Sequence, residues 1–190
     1  MTVIDQLRSV LDRVPDDMAP FGQGGSDLAL HEGTTRYRIS VLAFDEAGKL
    51  KLAAQELLLH GFNSAQFCLF GHSHLFVTLE SISLSEGGGA REFDVFLKSP
   101  AVSLRLASTN MFEMRYGTFA GRLFSRIHDG SFEAPWMRID VARGVESDAA
   151  NGCLVLLVTS ATANQHALGA KLLLRHGDRD LLTHEFTAGR

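Results

Sequence analysis

Cysteine is scarce in this chain. Its 190 residues contain two, Cys68 and Cys153. Both lie inside apolar stretches, Phe67-Cys68-Leu69-Phe70 and Cys153-Leu154-Val155-Leu156. That usage excludes a disulfide scaffold and reads as two small buried hydrophobes. A reducing, cytoplasmic compartment is therefore expected. Long apolar runs are also missing. No stretch reaches the ~18 apolar residues that a membrane-spanning helix needs. The first fifteen residues are interrupted by Asp5, Arg8, Asp12 and Arg13, so a signal peptide is not expected. Nor is there an excess of positive charge. Eighteen basic residues against 22 acidic ones leave a net charge of −4, which argues against a general nucleic-acid binder.

Catalytic signatures are equally sparse. There is no Gly-x-Ser-x-Gly elbow. Gly22-Gln23-Gly24-Gly25 and Gly87-Gly88-Gly89 lack both the Lys-Ser/Thr of a phosphate-binding loop and the strand-to-helix setting of a dinucleotide site. Both read as flexible turns. No catalytic residue and no cofactor is assigned.

What is present is a repetition. Residues 39–70 and 155–186 both read as apolar strand, amphipathic helix, strand. A shift of 116 positions places Ala54 on Ala170, Leu57 on Leu173, Leu58 on Leu174, His60 on His176, Gly61 on Gly177 and Phe70 on Phe186. Two β-α-β units predict an α+β, ferredoxin-like sandwich with a central insertion. Leu57, Leu58, Leu173 and Leu174 are expected to include core residues.

The expected organisation is an N-terminal arm and linker over 1–35, a first repeat over 36–80, an insertion over 81–135 and a second repeat over 136–190. Residues 3–13 predict a short helix. The prolines and glycines of 14–35 predict a linker. Asp45 is a candidate cap for the first repeat's helix, and Gly61 a left-handed terminator. Ser160 or Thr162 can cap the second helix. Residues 154–158 are apolar throughout, so that strand should be buried on both faces. Between the repeated stretches 39–70 and 155–186, Leu75, Val77 and Leu79, then Phe93, Val95 and Leu97, alternate as strands do. Phe112, Tyr116, Phe119, Leu123 and Ile127 fall at helical spacing. A short helix is expected over about 137–149, with Trp136 anchoring its start.

Three stretches carry a family resemblance. They are Val41-Leu42-Ala43-Phe44 leading to Leu57-Leu58-Leu59-His60-Gly61-Phe62, then Trp136 with Asn151-Gly152-Cys153-Leu154-Val155-Leu156-Leu157-Val158, and Leu172-Leu173-Leu174-Arg175-His176-Gly177 with His184-Glu185-Phe186. Over about half its length the chain resembles bacterial general-stress modules of the heat-induced stress protein type. The resemblance implies a regulatory or stress-associated protein and carries no catalytic residues.

Candidate sites follow from residue type and spacing. His72 and His74 stand two apart, so on a strand both would face one ion, and the repeat makes His184 a possible third ligand. As solvated loop histidines they would do nothing. His60 and His176, each before a glycine, read as helix-terminal cappers. On the 112–127 stretch, Arg115, Tyr116, Phe119 and Arg122 form a candidate partner-binding set, arginines beside aromatics being typical of hot spots. A core stripe is the alternative there. The reading that joins these features is a non-catalytic regulatory or interaction protein, homo-oligomeric or bound to a protein partner. The alternatives are a small-ligand sensor with a cleft between the repeats, or a metal-dependent enzyme using His72, His74 and His184.

Overall fold

The computed structural model describes residues 34–82, 88–99, 102–105, 111–117 and 139–189. They form an α+β unit. In chain order come β1 (Thr34–Phe44), α1 (Ala47–Leu59), a 3-10 turn (Ser64–Gln66), β2 (Phe67–His72), α2 (Ser73–Ser81), α3 (Gly88–Leu97), β3 (Val102–Arg105) and β4 (Met111–Tyr116). Then follow α4 (Ile139–Ala150), β5 (Leu154–Ser160), α5 (Ala163–His176) and β6 (Leu182–Gly189). The six strands make one sheet in the order β3-β4-β2-β5-β1-β6, with every neighbouring pair antiparallel.

Both expected β-α-β units are present, β1-α1-β2 and β5-α5-β6. Their strands interleave: β5 lies between β1 and β2, and β1 lies between β5 and β6. The two central strands explain the apolar run at 154–158. All of Leu154–Ser160 is buried, as expected of a strand covered on both sides.

Register assigns the faces. Leu42 pairs with Leu156, and Leu156 with Leu69. These side chains share one face with Phe44, Leu154, Val158 and Phe67. They form a core with Leu50, Ala53, Ala54 and Leu57 of α1, Leu172 and Leu173 of α5, Phe76 and Leu79 of α2, and Phe93, Phe96 and Leu97 of α3. The opposite face carries Ile39, Val41, Val155, Leu157, Cys68, Phe70, Phe112 and Met114, all buried. Helix α4 contacts β1, β2 and β5. Its Gly144 faces Leu182, which pairs with Val41 on that second face.

The chain between β2 and α4 departs from expectation in three places. The alternating segments Leu75–Leu79 and Phe93–Leu97 are helices, α2 and α3. Three alternating apolar residues fit either period. The helix is revealed by Phe76 with Leu79 and by Phe93 with Phe96 and Leu97, which are buried, while Val77 and Val95 point outward. Gly88 and Gly89 open α3 instead of forming a turn. A Cβ on Gly89 would stand 2.7 Å from the Gln55 carbonyl oxygen, so a bare Cα lets α3 lie against α1.

The third departure is Met111–Tyr116, which is strand β4 and not the start of a helix. Phe112 and Tyr116 are four apart, a spacing that both periods allow. Met114 between them makes the alternation, and Phe112, Met114 and Tyr116 pair with His72, Phe70 and Cys68 of β2. Phe119, Arg122, Leu123, Ile127 and Trp136 lie outside the described residues, as do the arm and most of the expected linker, 1–33.

Candidate functional site

Most large apolar side chains are inside. Among the described residues five are not: Leu52 (44% exposed), Leu59 (64%), Val77 (68%), Val95 (65%) and Leu174 (53%). All stand on the helical layer. Leu52 and Leu59 are seven residues apart, two turns of α1, so they line up on one stripe. The opposite stripe of α1, Leu50, Ala53, Ala54 and Leu57, is fully buried. Helix α1 packs with α3 and with α5. Its outward stripe therefore lies in the middle of a helical surface, with Val95 and Leu174 on the helices it packs against.

Charges of both signs hold this layer together. Glu56 of α1 accepts from Arg175 Nη1 at 2.5 Å and meets His176 Nε2 at 2.6 Å. Burial alone would push the Glu56 carboxyl up, but the hydrogen bonds from His176 and Arg175 together hold it below the ordinary range. On the other flank Lys51, with 3% of its side chain exposed, donates to the Ile82 carbonyl at 2.6 Å and pairs with Asp94 at 2.8 Å. It ties α1 to the end of α2 and to α3. The sequence signal for Lys51 is its position: it stands at the edge of the inward stripe, three residues before Ala54.

A second network closes one end of the sheet. Arg179, after α5, donates to Asp45 at 2.7 Å and to Asp148 of α4 at 2.8 Å. The Cys153 thiol donates to Asp45 at 3.1 Å. Asp45 is thus not the cap of α1. The capping position is Glu46, whose side chain makes no capping bond. The Arg179 hydrogen bond, with help from Cys153, pulls Asp45 below its usual range. Burial, reinforced by Asp45, pushes the Cys153 thiol up to about 11, and burial raises the Cys68 thiol as well. Neither thiol is a thiolate near neutrality, so neither is set up as a nucleophile.

The histidine trio does not assemble. His72 ends β2 and stacks on Phe112, ring centroids 4.2 Å apart, while His74 lies in α2 with its ring 5.5 Å from that of His72. His184 is on β6, opposite Ile39. Strands β2 and β6 are separated by β5 and β1, three spacings or about 14 Å of sheet. One ion cannot bridge them. Among the described residues, no group of three His, Cys, Asp or Glu side chains is placed to hold a metal.

Of the partner-binding set, Arg115 and Tyr116 are among the described residues and face opposite sides of the sheet. Arg115 is buried on the helical face. It donates to Glu80 of α2 and to Glu113, both at 2.6 Å, and its guanidinium sits 4.9 Å from the Phe76 ring centre. It clamps β4 to α2. Tyr116 is half-buried on the other face beside Cys68, and burial raises its hydroxyl. Phe119 and Arg122 lie outside the described residues. Sequence reasoning missed the exposed leucines, because Leu52, Leu59 and Leu174 look like their buried neighbours in composition. The signal that could have found them is phase: none falls on the inward stripe of its helix.

Among the described residues, no helix is long and apolar enough to cross a membrane. Compared with protein-family models, with characterised proteins and with solved structures, the chain matches none.

Proposed function

We propose that this protein is a non-catalytic interaction module, built on a ferredoxin-like sandwich, that pairs with a second copy of itself through the outer face of its helical layer. The carrying observation is the line of Leu52 and Leu59 on α1, with Leu174 on α5 and Val95 on α3, all about half or more exposed. Support for the fold comes from the strand order β2-β5-β1-β6 with α1 and α5 joining its members. Support for a second copy is self-complementarity. A twofold interface sets the same patch against itself, so it needs both partners of every contact on one surface. This face offers aliphatic side chains together with the partly exposed Glu56 and Arg175, an acid and a base side by side. The titratable groups around it are engaged in pairs that fasten helices together, which suits a scaffold more than a reaction centre. A stress-associated, cytoplasmic role fits the resemblance of the helix endings and the two free, buried thiols.

Sedimentation over a range of protein concentrations tests the proposal. Leu59→Glu places a charge in the stripe, where burial without a partner is costly. It should weaken self-association by about tenfold or more, the equivalent of roughly 1.4 kcal/mol. A wild-type protein that stays monomeric at every concentration, or a variant that associates as well as wild type, would overturn it.

A further inference from the structure

We infer that His166 makes the seating of α5 on the sheet sensitive to acid, because its imidazole is wedged, half-buried, between the first turns of that helix and a buried serine on β1, next to a fixed arginine. The contact is His166 Nδ1 to Ser40 Oγ, 3.2 Å. Ser40 is 1% exposed and lies on the helical face of the central strand β1. Two residues before it on the same face stands Arg38, which is 17% exposed and held by Glu185 at 3.0 Å. Arg38 and Glu185 face each other across β1 and β6. The imidazole is also close to the N-terminal end of α5. Thr162 caps that helix by accepting from the Gln165 amide, and the His166 amide makes the first turn's bond to the Thr162 carbonyl. A positive charge is unfavourable at this end of a helix.

From β1 come Arg38 and, two residues before it on the same face, Arg36, which also pairs with Glu185 at 3.1 Å; Glu185 of β6 is the group among the described residues that favours a protonated ring. Strand β5 presents Leu154, Leu156, Val158 and Ser160 on this face, none of them titratable. Helix α1 presents Glu56 to Arg175 and His176, at the opposite end of α5, and Lys49 to Asp178 beyond it. Burial first, then Arg38, holds His166 below the ordinary histidine range, against the smaller pull of Glu185.

The sign follows from linkage. A histidine that takes up its proton less readily when folded than when unfolded contributes stability above the unfolded value, near 6.5. That contribution declines as pH falls below about 6.5 toward the lower folded value. The loss should act first on α5, because the strain of a charged ring falls on the contact between that helix and β1.

The test needs no knowledge of a ligand. In the wild-type protein, NMR should place the His166 titration midpoint below about 6.5, and Arg38→Gln should raise it. Amide protection in α5, corrected for intrinsic rates, should fall between pH 7.5 and 5.5 by a larger factor than protection in β5. In His166→Asn, whose amide can still bond Ser40, that extra loss should disappear. A wild-type midpoint at or above 6.5, equal losses in α5 and β5, or the same extra loss in His166→Asn would each overturn the inference.

Discussion

The two β-α-β units share a helix ending, yet they use it differently. In the first, Leu57 and Leu58 are both buried, His60 occupies the capping position with its ring against the Glu56 carbonyl, and Gly61 turns the chain at φ +86°. In the second, Leu173 is buried but Leu174 is 53% exposed. His176 reaches across to Glu56 of the other helix, and Gly177 has an ordinary φ of −93°. The difference traces to the insertion. Helix α3 lies against α1, and a Cβ on its Gly89 would stand 3.2 Å from the Cβ of Leu58. Among the described residues, α1 alone of the two repeat helices is packed by α3, and the position equivalent to Leu58 on α5 faces outward. A sequence duplicated in pattern thus becomes asymmetric in burial. One copy of the leucine serves the core and the other is left for a surface.

The largest effects should fall where the repeats agree. Leu57→Ala and Leu173→Ala each empty a fully buried site beneath the helical layer, and each should cost about 2–5 kcal/mol in denaturant unfolding. A loss at one site and none at the other would break the equivalence of the units at its firmest point.

The glycines should come next, through unlike causes. At Gly177 an added Cβ would meet Leu42 Cδ2 at 2.3 Å, inside the core, so Gly177→Ala should cost about 1–3 kcal/mol by overpacking. Gly61 has open space around it but a left-handed backbone, so Gly61→Ala should cost about 1 kcal/mol by strain. The mechanisms separate in a double variant with Leu42→Ala. Truncating Leu42 should relieve part of the cost of Gly177→Ala and none of that of Gly61→Ala.

Much of the fold was legible in the sequence because it rests on long, consistent patterns. The continuous apolar run at 154–158, the leucine and alanine spacing of both repeat helices, and Gly61 at a helix end all signal through local physics. The helix expected near 137–149 is α4, and Thr162 is the cap of α5. The chain between β2 and α4 was less legible. Leu75-x-Val77-x-Leu79 is too short to separate period 2 from period 3.6, and tertiary packing decided for the helix. Phe112 and Tyr116 misled for the same reason, since four residues satisfy both periods. The site was less legible still. Asp45 has the chemistry of a cap, but Arg179, 134 residues later, claims its carboxylate. His72, His74 and His184 looked like a set only until the strand order separated them. Lys51 and Arg115, two buried cations that fasten helices and strand, find partners across the fold that no local pattern announces.

The smallest expected change in stability belongs to Leu174→Ala, and it tests the account most directly. If the second unit's leucine is surface and that surface is the face that meets a second copy, unfolding should shift by no more than about 0.5 kcal/mol. Self-association, read from solution mass over a concentration series, should weaken in the same sample. A stability loss on the scale of Leu173→Ala, or a solution mass unchanged from wild type, would contradict it.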